Sequence, residues 1–147
     1  MKTYLFSLLL ITLWGLPTGN LQPDWHTTQS TALEHAQTSG KPILLVFSGS
    51  DWCRPCMEMD RSVFQTDAFQ AFAQSNLVLL KADFPRRRKN QQAPEAAAEA
   101  QTLAQTYNPK GLFPTLVLLD ADGQQLLQTG FHATWESLQQ TLEAHLP

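Results

Sequence analysis

The chain has little of what several common function classes need. It has no excess of positive charge: ten Lys and Arg face 13 Asp and Glu, a formal net charge of −3. Nucleic-acid binders usually carry a strongly basic face, so that class is disfavoured. No repeat of a few tens of residues is visible, which argues against a solenoid. No apolar run reaches the roughly 20 residues of a bilayer-spanning helix. The longest, Tyr4 to Leu16, covers 13 residues and is broken by Pro17, Gly19 and Asn20. Cysteine is scarce, with only Cys53 and Cys56 present. A framework of several disulfides is therefore excluded, and a four-cysteine zinc site with it.

What is present fits one domain behind a targeting segment. The apolar fraction of 43% is that of an ordinary globular protein. Lys2 followed by the apolar stretch reads as a secretory signal, expected over residues 1–21, with the mature domain at 22–147. No Ala-x-Ala marks the cleavage site, which is expected between Thr18 and Gln22. No Cys follows the stretch to take a lipid. The expectation is an exported, periplasmic protein, touching a membrane only through the signal segment if that segment stays uncleaved. Without Lys2, nine basic residues face 13 acidic ones, a charge of about −4.

An exported pair of cysteines usually means a structural disulfide. Here the loop is too short for that role to explain much. Closing a loop with two intervening residues removes little entropy from the unfolded chain. A metal role lacks ligands, because His26, His35, His132 and His145 fall at no local ligand spacing. Redox chemistry is the favoured reading, with an inert disulfide and a metal site as the alternatives. No metal and no cofactor beyond a redox-active disulfide is expected.

The periodicity places this pair on a strand–helix junction. A helix is expected near Thr28–Ser39, ended by Gly40. Ile43 to Phe47 is a continuous apolar run, typical of a strand covered on both faces. After the turn Ser48 to Asp51, a helix should begin near Cys53 and run through Asp60 or slightly further. Thr66 and Asp67 look like a fresh helix start. Leu77 to Ala82 reads as a second buried strand, followed by a loop holding Arg86, Arg87, Arg88 and Lys89. Pro94 should open a helix to about Tyr107. Thr115 to Leu119 and Gln125 to Thr129 should form a hairpin about Asp120 to Gly123. Thr134 should cap a last helix through His145. Strands joined by helices, then a hairpin and a closing helix, make a three-layer α/β domain.

A helix start is also chemically apt for Cys53. Outward backbone N–H groups and the helix dipole favour thiolate over thiol, and the thiolate is the nucleophile in disulfide exchange. Cys56 lies one turn on, on the same face, where it can resolve the mixed disulfide. Pro55 is tolerated in a first helical turn. Arg54 beside Cys53 should stabilise the thiolate further if it folds toward the sulfur.

The run Trp52-Cys53-Arg54-Pro55-Cys56 after an apolar strand resembles the active site of the thioredoxin-like superfamily, with Arg54 where the best-known members have Gly. Phe113-Pro114-Thr115, beginning 60 residues after Cys53, is a second match, and the hairpin with its closing helix a third. Phe47 to Cys53 and Asp83 to Arg86 resemble a group of exported bacterial members. The resemblance implies the thioredoxin fold, an α/β/α sandwich on a central mixed sheet, across Trp25 to Leu146. It implies a cis Pro114 opposite the disulfide, and Trp52, Arg54, Pro55 and Phe113 shaping the site. It also exposes a departure: thioredoxins carry a buried Asp six residues before the first Cys, and this chain has Phe47. Asp51, Glu58 and Lys81 are the candidates to move protons instead, Lys81 resembling a strand Lys of thioredoxins.

The expected activity is thiol–disulfide exchange with protein substrates, Cys53 attacking and Cys56 resolving, with a thiol donor or acceptor as redox partner. The direction of electron flow is open at this point. The alternatives are a binding or chaperone-like module using the same groove, and a dedicated reductant of one pathway such as cytochrome c maturation. The four cations of the loop read as a solvated segment, with docking of an acidic partner or lipid head groups as the alternative.

Overall fold

A computed structural model describes residues 22–146. The expected signal segment, residues 1–21, lies outside the described residues. Within them the chain runs β1 (Trp25–His26), α1 (Gln29–Ser39), β2 (Ile43–Ser48), α2 (Arg54–Met59), α3 (Asp67–Asn76), β3 (Val78–Asp83), α4 (Pro94–Tyr107), β4 (Thr115–Leu119), β5 (Gln125–Thr129) and α5 (Trp135–Glu143). No helix among the described residues is long and apolar enough to cross a membrane.

The strands form one mixed sheet in the order β1-β3-β2-β4-β5. β1 and β2 each pair parallel with β3, while β4 runs antiparallel to β2 and to β5. The apolar run of β2 is thus central and buried along its whole length. Its side chains alternate between two cores. Leu44 and Val46 face a cluster with Met59, Val63, Phe69, Trp135, Leu138 and Leu142. Ile43, Leu45 and Phe47 face a second, with Ala32, Ala36, Ala100 and Leu103. Helices α2, α3 and α5 cover one face, and α1 and α4 the other. This is the three-layer α/β/α thioredoxin fold.

Local chemistry sets most of the boundaries. Gly40 ends α1 with φ at 71°, a conformation that suits glycine. Thr66 caps α3 by accepting from the Phe69 N–H, and Thr134 caps α5 by accepting from the Ser137 N–H. Three local details refine the sequence reading. The α-helix after the cysteines stops at Met59, and Asp60–Phe64 continues as a wider π turn closed by the Gln65 N–H on the Asp60 carbonyl at 2.9 Å. Such turns insert one residue and re-aim the face that follows. The last helix ends at Glu143, where the His145 N–H bonds the Leu142 carbonyl in a tighter turn. The cationic loop is more ordered than its composition suggests, with a 3₁₀ turn at Arg88–Asn90.

Candidate active site

The chain leaves β2 at Ser48 and turns sharply at Gly49. The Trp52 and Cys53 N–H groups both bond the Gly49 carbonyl, at 3.2 and 2.9 Å. The Trp52 indole lies directly against Gly49, so that any Cβ at this position would overlap the ring. Glycine is required here by close approach. Cys53 is the N-cap of α2, and its sulfur accepts from the Cys56 N–H at 3.3 Å. Cys53 and Cys56 are joined as a disulfide. They retain only 5% and 4% exposure, so a partner reaches the bond at one edge. Pro55 lies in the first turn of α2, where its missing N–H leaves no helical bond unmade. Arg54 and Glu58 both stand exposed on α2.

The other wall comes from the loop before β4. The Phe113–Pro114 peptide bond is cis, and Pro114 is buried. A buried residue at the end of α4 clamps this loop. The Asn108 side-chain amide donates to the Leu112 carbonyl at 2.9 Å, and its side-chain oxygen accepts from the Leu112 N–H at 3.1 Å. Thr115 Oγ1 adds a bond to the same carbonyl at 2.8 Å. Leu112 itself is 59% exposed beside the site. Asn108 follows directly on the expected helix end at Tyr107, and nothing in the sequence pattern marks it for this role.

Trp52 bridges the two walls. Its Nε1–H donates to the Phe84 carbonyl at 2.7 Å, and its ring meets Phe113 edge-on at 5.5 Å between centroids. Phe84 meets Phe113 in the same way. The Arg86 guanidinium lies over the indole at 3.8 Å, a cation–π contact that helps hold the ring in place.

The three proton-transfer candidates occupy different places. Asp51 anchors the cationic loop: its carboxylate accepts the Arg86 and Arg87 N–H groups and the Asn90 side-chain amide, each at 2.9 Å. The Arg86 N–H foremost, with the Asn90 amide and the Arg87 N–H, lowers the Asp51 pKa below the ordinary carboxyl value. An acid so held stays ionised and has no proton to give near neutral pH. Glu58 points to solvent. Lys81 lies beside Cys56: with Ser48, Ser50, Met57, Asp60 and Arg61 it lines a cavity of about 220 Å³ that Cys56 also lines. Phe47 is fully buried in the apolar core under β2.

Asp60 was missed by the sequence reading. It lies four residues after Cys56, hence on the same helical face, and that spacing was a usable signal. Asp83 was missed too; its carboxylate accepts the Ser50 N–H at 2.9 Å and the Ser50 hydroxyl at 2.5 Å, fixing the turn above the cysteines. Among the described residues, no group of three or more His, Cys, Asp and Glu is placed to hold a metal ion.

Residues 24–121 match the family model described as thioredoxin-like. The disulfide bond reductase DsbH of Chlamydia pneumoniae is 42% identical over 112 residues, covering 76% of this chain and 64% of that protein. The thioredoxin-related protein DsbJ of the same organism is 27% identical over 133 residues, 88% of this chain and 37% of its own length. The chain therefore spans less than two thirds of the length of these curated relatives. A solved structure described as a DsbH oxidoreductase superposes with a TM-score of 0.78 at 32% identity, covering 96% of this chain and 94% of that one.

Proposed function

The chain belongs to the thioredoxin-like family, and from that premise we propose that it is a thiol–disulfide oxidoreductase that reduces disulfides in protein substrates. The observation that carries the reading is the placement of Cys53. Its sulfur caps the start of α2 and accepts a backbone N–H there, an environment that favours thiolate. In the reduced enzyme, the Cys53 thiolate attacks one sulfur of a substrate disulfide. That bond breaks, a mixed disulfide forms, and the other substrate sulfur leaves as a thiolate. Cys56 then gives up its proton and attacks Cys53 Sγ. The Cys53–Cys56 bond closes and the second substrate thiolate is released. A thiol donor restores the dithiol. The reductive direction is supported by the DsbH relative, whose name is that of a reductase.

The Asp60 carboxylate is proposed to take the proton from Cys56, with the Lys81 ammonium stabilising the thiolate that forms, since both line its cavity. Trp52, Pro55, Phe113 and Pro114 are proposed to shape the partner groove, and Arg54 to tune Cys53 from solvent. The mature domain is proposed to be 22–147, released into an exported, periplasmic compartment by removal of residues 1–21. Lys2 and the apolar stretch after it support this.

Reduction of insulin disulfides with a thiol donor tests the activity. Wild type is expected to accelerate insulin precipitation, and Cys53→Ser to abolish the acceleration. An equal rate with and without the protein would refute the activity.

A further inference from the structure

Disulfide exchange leaves one surface feature unused. Residues 22–146 hold nine Lys and Arg, and five of them, Arg54 and the run Arg86 to Lys89, gather beside the disulfide on a chain of net negative charge. Two nearby carboxylates are already engaged: Asp51 accepts loop N–H groups and Asp83 accepts from Ser50. The contacts of Arg86 and Arg87 with Asp51 run through their backbones, and all four cations of the run are exposed. Glu58, Asp60 and Glu95 are the further acids nearby, and Arg61 and Lys81 the further cations. The local balance remains positive.

This lip borders a cleft of about 680 Å³ that starts at the site itself. Trp52 and Phe113 form its inner wall, Phe84 and Pro85 continue it, and Ala97 and Ala98 of α4 close the far side. The small alanines leave room for a bulky side chain and adjoining backbone. Arg86 lies both on Trp52 and at the cleft, so charge and apolar wall meet at one point.

Resting on the redox reading above, we propose that this cleft and its cationic lip select the substrate: a protein segment with a bulky apolar side chain and an acidic residue close to the reacting cysteine. The apolar side chain enters between Trp52, Phe113 and Ala98. The acidic residue meets Arg86 to Lys89. Charge of this kind acts mainly on encounter rate and fades with salt.

The test measures second-order exchange rates between the reduced wild-type protein and oxidised peptides that differ only beside the cysteine, carrying Phe-Glu, Phe-Lys or Gly-Glu. Hydroxyethyl disulfide serves as the small neutral control. At low ionic strength the Phe-Glu peptide should react about tenfold faster than Phe-Lys. That advantage should vanish at about 1 M salt, where the screening length falls to about 3 Å. The triple variant Arg87→Glu, Arg88→Glu, Lys89→Glu should reverse the order. Ala98→Trp should erase the advantage of Phe-Glu over Gly-Glu. Equal rates for the three peptides, or an order unmoved by salt and by charge reversal, would overturn the proposal while leaving the redox reading standing. Exchange with neither the peptides nor the control would overturn both. Lip-dependent binding to phosphatidylglycerol vesicles, without any peptide preference, would assign the cations to a membrane surface and overturn it too.

Discussion

Replacing Asn108 by Ala removes the clamp on the loop that carries Pro114, and its cost follows from the structure. Asn108 is 2% exposed, and its amide makes two bonds to the Leu112 backbone, at 2.9 and 3.1 Å. The Leu112 carbonyl keeps the Thr115 hydroxyl; the Leu112 N–H loses its side-chain acceptor. Two such bonds are together worth about 1–3 kcal/mol net. For a domain of this size, 1 kcal/mol moves Tm by about 4 °C. Thermal unfolding of oxidised Asn108→Ala should therefore begin about 4–12 °C below wild type. Exchange with protein substrates should slow as well, because one wall of the groove is less firmly held. Asn108→Asp sets a buried carboxylate oxygen against the Leu112 carbonyl, so it should destabilise at least as much as Ala. A Tm within a degree of wild type would refute the assignment of Asn108 as the clamp.

Burial lowers the pKa of His132, whose ring joins Thr129 to Ser137. A histidine held neutral destabilises the fold once the unfolded chain takes up its proton. Stability should fall as pH drops through the ordinary value near 6.5, and level off below the folded value. His26, lowered by burial and by His35, adds to the same window. His132→Asn should flatten the Tm profile between neutral pH and about 5; an unchanged slope would sink the idea. Asp51, also lowered, acts with the same sign at lower pH, its contribution disappearing as pH falls from the ordinary carboxyl value through its depressed one. Arg54→Gly should raise the Cys53 pKa slightly and lower the reduction potential by less than about 30 mV, because Arg54 is exposed. No shift in either quantity would remove Arg54 from the site's tuning. Asp60→Asn and Lys81→Met should slow release from a mixed disulfide, with a changed pH profile, while first attack by Cys53 keeps its rate. Unaltered release kinetics in both would count against their part in the deprotonation of Cys56.

Much of the fold was legible because it is local. The five-residue apolar run before Ser48 is typical of a doubly covered strand, Pro94 marked the start of α4, and Asp120 to Gly123 marked the hairpin. The cysteine pair was legible for a chemical reason: its loop is too short to be a useful staple. Much of the rest of the site depends on contacts that periodicity does not encode, those of Asp51 spanning more than 30 residues. Asp51 was legible as an acid near the cysteines, but not the use of its carboxylate to hold the loop at Arg86 and Arg87. Gly49 looked like a turn residue, whereas the Trp52 indole leaves no space for a side chain. Asn108 carried no mark beyond following the helix end at Tyr107, since its bonds to Leu112 depend on the path of the following loop. The π turn after Met59 changes where the helical face points and carries no mark in the residue pattern.

The central claim is that the start of α2 activates Cys53 while Cys56 waits, protonated and buried, to resolve. Alkylation of the reduced protein by iodoacetamide across pH, with each modified cysteine identified by mass spectrometry, tests this most directly. Cys53 should react first, with a pKa clearly below the free-thiol value of about 8.5, and Cys56 should react only well above it. Preferential modification of Cys56, or a Cys53 pKa at or above the free-thiol value, would contradict the account.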